Sequence, residues 1–339
     1  MPTRVTTRVS AFLALSCTSC HGAPEQPARP AVSSAAPVGT AAPLPSPSAA
    51  AMALDSSSRF PAADRIVAVG DLHGDLKATR RALVLAGAMD EADRFIGGKL
   101  VVVQTGDEID REDDDRAILE LFDRLADAAQ ARGGRVIPLV GNHEAMNVAG
   151  DFRYVTRGGF AAFADSDVTR VPGAVLQQFP VEARGRAAAF FPGGPFARRL
   201  AERRAVVMVG DTVFVHGGVT LDHVRYGIAR LNRELSRWMS GEGAPSALGN
   251  DQEGPLWTRR YSDDKSGVDC AGLQATLTAL SAKRMVVGHT PHEEGISSAC
   301  DGRVWRIDTG LSSYYGGPSQ VLEIRGDQVT VLKTQKAER

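Results

Sequence analysis

The stretch Arg65-Ile66-Val67-Ala68-Val69-Gly70-Asp71-Leu72-His73-Gly74-Asp75 decides how the rest of the chain is read. A β-type apolar run over 65–69 stops abruptly at Gly-Asp, and a histidine and a second Gly-Asp follow at once. The run reads as a strand. The residues after it are of metal-binding types, and glycine there lets the backbone turn tightly and approach a ligand. A lone Gly-Asp after a strand is otherwise an ordinary turn.

The same event recurs four times down the chain. Leu100–Val103 leads into Gly106-Asp107-Glu108-Ile109-Asp110-Arg111, and Val136–Val140 into Gly141-Asn142-His143-Glu144. Thr212–Val215 runs into His216-Gly217-Gly218, and Arg284–Val287 into Gly288-His289-Thr290. Four of the seven histidines sit in these motifs, so the combination is far more specific than any one of them. In the parallel parts of a sheet, strand ends gather on one side, and ligands bind there. The spacing therefore allows the five loops to converge.

Between the motifs, Lys77–Leu85 and Leu221–Met239 read as helices. Asp115–Arg132 is amphipathic, with Ile118, Leu121, Phe122 and Leu125 on one face and Gly133-Gly134 ending it. Val206–Val209 and Thr212–Val215 form a hairpin around Gly210-Asp211. Val304–Ile307, Gln320–Ile324 and Val329–Leu332 close the chain as strands. This order implies a mixed α/β (α+β) sheet system with helices outside. Residues 151–205 show little periodicity and read as an insertion near the rim of the site.

The two ends of the chain differ in kind. Residues 1–23 carry Arg4 and Arg8, a short apolar run, then small residues with Cys17 and Cys20, the layout of an export signal with a candidate lipid-anchor cysteine. Residues 24–60 are dominated by Ala, Pro and Ser and read as a disordered tether. Residues 61–335 remain for one large domain. An exported chain, periplasmic or membrane-anchored, is thus expected. Cys270 and Cys300 lie in the folded part and could pair in an oxidising compartment.

Composition bounds the partners. Of 339 residues, 39 are Lys or Arg and 40 are Asp or Glu, a net charge of −1. A non-specific nucleic-acid binder needs a basic excess, and a polybasic membrane patch does too. No apolar run reaches the roughly 18 residues that cross a bilayer.

Taken in order and at these intervals, GDLHG, GDEIDR, GNHE, HGG and GHT resemble the calcineurin-type metallophosphoesterases, and within them the phosphoprotein phosphatases. DEIDREDDD, VFVHGGV, GPLWTR, MVVGHTPH and CDGRVWRIDTGLSSYYGG are most similar to the Shewanella-like phosphatases. The resemblance spans about residues 64–325. It implies a double β-sandwich flanked by helices, with two metal ions at one edge. Asp71 and His73 would bind the first ion, Asp107 would bridge both, and Asn142, His216 and His289 would complete the second. Carboxylate, amide and imidazole suit manganese, iron or zinc.

The resemblance also assigns chemistry. A metal-activated hydroxide would attack phosphorus in line. His143 would protonate the leaving oxygen, Asp110 would orient it, and Arg111 would bind a phosphate oxygen. Arg259 is the candidate for a second phosphate arginine, with Arg260 its rival. The substrate would be a phosphorylated protein or small phosphoester, with phosphotyrosine suggested by the resemblance alone. A dinucleotide polyphosphate hydrolase and a non-catalytic metal or phosphate binder are the alternatives. One departure stands out: Glu112 replaces the glycine usual after the Asp-Arg pair. With Asp113, Asp114 and Asp115 behind it, the run reads as a solvated helix start. Tyr314 and Tyr315 either rim the site or form a turn.

Overall fold

The computed structural model describes residues 55, 57–244 and 251–334. The export segment, Cys17, Cys20 and nearly all of the tether lie outside them. Asp55 and Ser57 to Phe60, expected to be tether, belong to the fold. Arg59–Phe60 (β1) pairs in parallel with β5 (Val206–Val209), and the Ser58 hydroxyl accepts a bond from Asn232 Nδ2 at 2.9 Å. A polar anchor and a strand pairing thus hold residues that composition alone leaves free.

Two sheets form. One runs β11 (Gln328–Lys333), β10 (Gln320–Arg325), β2 (Ile66–Val69), β3 (Val101–Gln104), β4 (Arg135–Pro138). The other runs β1, β5, β6 (Thr212–Val215), β7 (Arg284–Val287), β9 (Val304–Arg306), β8 (Ser297–Ala299). Side-chain alternation explains how they stack. Ile66 and Ala68 of β2 face Val207, Val209, Phe214 and Val286 of the other sheet in one core. Val67 and Val69 point the opposite way, onto helices α1 (Leu76–Leu85) and α2 (Asp115–Gln130). Met208, Val213, Val215 and Val287 cover the second sheet's outer face, beneath further helices. The result is the double sandwich expected from the sequence.

β2, β3 and β4 are mutually parallel, as are β6, β7 and β9. Their carboxyl ends carry all five motifs. The predicted helix over 221–239 is broken: Gly227, at φ 102°, separates α8 (Leu221–Tyr226) from α9 (Ile228–Met239).

Residues 151–205 are more than a rim. They hold four short helices, α4 (Arg157–Ala161), α5 (Gly173–Leu176), α6 (Arg184–Phe190) and α7 (Pro195–Ala201), following α3 (Asn142–Val148). Phe163, Phe190, Phe196 and Leu200 from this segment enter the main core. No long periodic run announced this, because each helix is only one or two turns long. Cys270, which begins α10 (Cys270–Leu280), is bonded to Cys300 in a disulfide with Cα atoms 5.4 Å apart.

Candidate active site

These metal-type residues lie in the loops at the strand ends or, for Asn142, at the start of the helix that follows, and all are buried: Asp71 after β2, Asp107 after β3, Asn142 after β4, His216 after β6, His289 after β7. The loops are conformationally forced. His73, Asp107, Asp110, Arg111 and His289 have φ between 48° and 77°, a region side chains with Cβ avoid. Such strain persists where surrounding structure over-determines it, and it concentrates at functional sites.

Tautomers are set by backbone carbonyls behind the rings. His216 Nδ1 lies 2.9 Å from the Thr105 carbonyl oxygen and donates to it, so its Nε2 keeps a lone pair. His289 Nε2 lies 3.0 Å from the Trp257 carbonyl oxygen, which leaves Nδ1 a lone pair. These two lone-pair atoms lie 3.1 Å apart. Asn142 Oδ1 is 2.8 Å and Asp107 Oδ2 3.2 Å from His216 Nε2. Four acceptors thus meet with no donor among them, an arrangement that a cation stabilises. On the other side of Asp107 Oδ2, His73 Nε2 lies 3.9 Å away and, in turn, 4.0 Å from Asp71 Oδ2. Two groups of side chains able to bind a metal ion thus share Asp107, one with His73 and His143 and one with His216 and His289.

The electrostatics agree. Burial, with Asp308 and Asp107 nearby, pushes the Asp71 carboxyl well above its ordinary range. Burial would raise Asp107 as well, but a proton on His216 or His143 beside it would hold it well below. Burial and the neighbouring His143 lower His73 to about 3. Burial and His216 lower His289 well below the ordinary value. Neutral imidazoles facing crowded carboxylates are in the protonation state that metal binding requires.

At the edge of this cluster, His143 Nδ1 lies 2.7 Å from Asp110 Oδ2, and its Nε2 faces Asp107 Oδ2 at 3.8 Å. Burial opposes a charge on His143, yet Asp107 and the Asp110 bond raise its pKa. This pair can hold and deliver a proton. The Arg111 guanidinium lies 3.8 Å from the centre of the Tyr154 ring and donates to the Tyr314 hydroxyl at 3.1 Å. Its buried Nε–H finds no acceptor among the described residues.

The two arginine candidates separate clearly. Arg259 donates to the His289 carbonyl and to Thr290 Oγ1, both at 2.8 Å, beside the metal-type residues. Arg260 turns away and pairs with Glu253 at 2.9 Å on the surface. Tyr314 and Tyr315 do rim the site: the Tyr315 ring is 5.2 Å from His73.

The acidic run after Arg111 is not uniformly solvated. Asp113 and Asp114 are exposed, but Glu112 is half-buried and accepts the Tyr314 backbone N–H. Asp115 is fully buried, because Arg186 reaches it from α6.

Three contributors escaped the sequence reading. Asp308, buried beside Asp71, has a carboxyl that burial pushes up to about 6. Its signal was a sixth strand end, Val304–Ile307 followed by Asp308-Thr309-Gly310. Asn147, one turn after His143, donates to both Asp110 oxygens at 3.0 and 3.1 Å. Arg186 had no local signal, since its partners are distant in sequence.

The calcineurin-like phosphoesterase family matches residues 64–308. Shewanella-like protein phosphatase 2 of Arabidopsis thaliana is 37% identical over 302 residues, which cover 80% of this chain and 77% of that protein. Shewanella-like protein phosphatase 1 of Plasmodium berghei is 29% identical over 266 residues, 75% of this chain and 69% of that one. A solved cold-active protein tyrosine phosphatase shares the fold, with TM-score 0.67 and 21% identity over 84% of this chain and 80% of its own. The chain therefore belongs to the calcineurin-like phosphoesterases and, within them, to the Shewanella-like protein phosphatases. It is a metal-dependent phosphoester hydrolase.

Proposed function

We propose that the chain is a phosphomonoesterase of the protein-phosphatase type, selective for aryl phosphates such as phosphotyrosine, that works at a two-metal centre. The observation that carries the reading is the meeting of four lone pairs around His216 Nε2, with the His143–Asp110 pair and Arg111 at its edge. Asp71, His73 and Asp107 would hold one ion; Asp107, Asn142, His216 and His289 would hold the other. When bound, manganese, iron or zinc would supply Lewis acidity to the phosphoryl oxygens and acidify water.

The chain's own residues do the rest. Arg111, held over the Tyr154 ring beside His143, binds a phosphoryl oxygen, and Arg259 supports a second. Asp110 holds His143 Nδ1–H, so Nε2 carries the mobile proton. As the ester P–O bond breaks, the leaving oxygen keeps the electron pair and takes that proton. Water adds its oxygen to phosphorus and releases a proton, so phosphomonoester and water become alcohol and phosphate. Tyr154, 5.1 Å from His143 and stacked on Arg111, offers a flat wall for an aryl leaving group.

The test is phosphate release by the full chain with Mn²⁺ from matched phosphotyrosine and phosphoserine peptides. Tyrosine-selective release that His143→Asn lowers by about 100-fold or more supports the proposal. Equal release from both withdraws the aryl selectivity. No release with metal bound refutes the phosphomonoesterase and points to dinucleotide polyphosphates or to a binding role. We further propose that the enzyme is exported. The Cys270–Cys300 disulfide suits an oxidising compartment, and residues 1–23 have the layout of an export signal. Loss of membrane association in Cys17→Ser or Cys20→Ser would locate a lipid anchor.

A further inference from the structure

Arg186 is the largest fully buried side chain among the described residues, and it lies in the segment where the sequence shows least pattern. Its guanidinium sits over the paired rings of Phe163 and Phe190, 5.1 and 5.0 Å from their centres. An arginine in such surroundings is costly to desolvate, and apolar residues often replace buried ion pairs without loss of stability. What it holds explains why it is there.

Its N–H groups are donated in several directions. Nη2 bonds Asp110 Oδ1 at 2.9 Å, and Nε bonds Asn147 Oδ1 at 2.7 Å. Nη1 bonds Asp115 Oδ2 at 2.5 Å and the Gly159 carbonyl at 2.9 Å. Asp115 Oδ1 in turn accepts the Asp110 backbone N–H at 2.9 Å, at the point where φ is 71°. Asp110 is thus fixed at both its backbone and its carboxylate.

The carboxylate's orientation is the decisive point. Asn147 Nδ2 straddles both Asp110 oxygens almost equally, so it does not select one over the other. Arg186 bonds Oδ1 alone and leaves Oδ2 aimed at His143 Nδ1. A planar fork can span Asp110, Asn147 and Asp115 at once, whereas a lysine ammonium cannot.

We propose that Arg186 is a positioning residue for leaving-group protonation: it sets the Asp110 carboxylate so that His143 presents Nε2 to the ester oxygen. The inference rests on the proton-delivery role proposed above for His143. It makes the helical segment 184–190 part of the catalytic apparatus, although no side chain from that segment needs to touch substrate.

Leaving-group dependence tests it. Phenyl phosphate needs its leaving oxygen protonated, and 2,4-dinitrophenyl phosphate does not. The full chain, with Mn²⁺, is assayed on both, alongside Arg186→Met, Arg186→Lys and His143→Asn. If the proposal holds, Arg186→Met lowers kcat/KM on phenyl phosphate by about 100-fold and on the dinitrophenyl ester far less, a ratio change of roughly tenfold or more. His143→Asn shows the same selective loss. Equal losses on both esters in Arg186→Met overturn the positioning role, because damage to the fold or to metal binding is blind to the leaving group. Should Arg186→Met not fold, Arg186→Lys keeps the buried charge and carries the same test, with an unchanged substrate ratio overturning the proposal. If His143→Asn itself shows no selectivity, the proton-delivery reading fails first. If it does and the Arg186 variants do not, only the positioning role falls.

Discussion

Replacing Gly288 by alanine tests whether the metal centre is built as tightly as its geometry implies. Gly288 follows β7 and precedes His289, and its φ lies outside the left-handed region, so the backbone itself tolerates alanine. Space does not allow it: an added Cβ would lie 2.3 Å from Asp71 Oδ1 and 2.9 Å from Thr105 Oγ1. A carbon in ordinary contact needs about 3.5 Å, so the Asp71 carboxylate must retreat by roughly 1 Å. Asp71 also accepts the His289 backbone N–H at 3.1 Å, so both sides of the cluster move together. Disturbing the groups around metal ligands typically costs about 10–100-fold in metal affinity, or about 1.4 to 2.7 kcal/mol. A displacement near 1 Å at a reacting centre costs about 100-fold in rate. We expect Gly288→Ala to lower Mn²⁺ affinity by about 10–100-fold and kcat/KM by about 100-fold. Gly173→Ala, where an added Cβ meets nothing within 4 Å, is the control. Calorimetric Mn²⁺ titration and phosphate-release kinetics read the two quantities, and thermal melting of the metal-free chain checks that the fold is kept. Native metal affinity with kcat/KM within about threefold of the parent would refute the assignment of Asp71 as a ligand, since a carboxylate bound to the reacting metal cannot move by roughly 1 Å without a far larger loss of rate.

Other outcomes follow from separate parts of the molecule. Cys270→Ser/Cys300→Ser opens a link across 30 residues and should cost about 3 to 4 kcal/mol by loop entropy, read as a lower urea midpoint; an unmoved midpoint counts against it. Asp75 caps α1 through the Ala78 N–H and accepts two bonds from Ser313, and these outweigh burial to lower its pKa. Its contribution is therefore complete above the ordinary carboxylate pKa of about 3.9 and is lost as pH falls through the lower folded value. Asp75→Ala should cost about 1 kcal/mol at neutral pH, with the gap from the parent narrowing in acid; a gap that widens there contradicts the sign. Arg259→Ala should raise KM about tenfold or more, while Arg260→Ala, which removes only a surface pair, should leave it within about twofold. The reverse order would return the phosphate role to Arg260.

The strands and their loops were legible because each is a local event. Four apolar residues followed by Gly-Asp or Gly-Asn report their own conformation, and parallel pairing then carries the loop ends to one edge. Asp71, His73, Asp107, Asn142, His216 and His289 stood out as metal-type residues because each follows a strand, whereas their ligand roles and the double sandwich were implied by the resemblance of the five motifs to a known family. The disulfide was legible from two cysteines in one folded segment, although pairing itself needed the 5.4 Å approach of their Cα atoms.

What the sequence could not show depends on distance along the chain. Arg186 acts on Asp110, 76 residues away, and on Asp115, 71 residues away, and no periodicity links such positions. Asp115 reads as one more solvated acid in a run of four, until burial and a guanidinium give it a partner. Ser58 and Phe60 read as the end of a flexible tether, until β5 and Asn232 supply their bonds. Local pattern fixes which residues turn, pair or coil, since those choices rest on neighbours one to four positions away. Which charges are buried, and which side chain orients which, rests on contacts that exist only once the two sheets and the helices over them have closed.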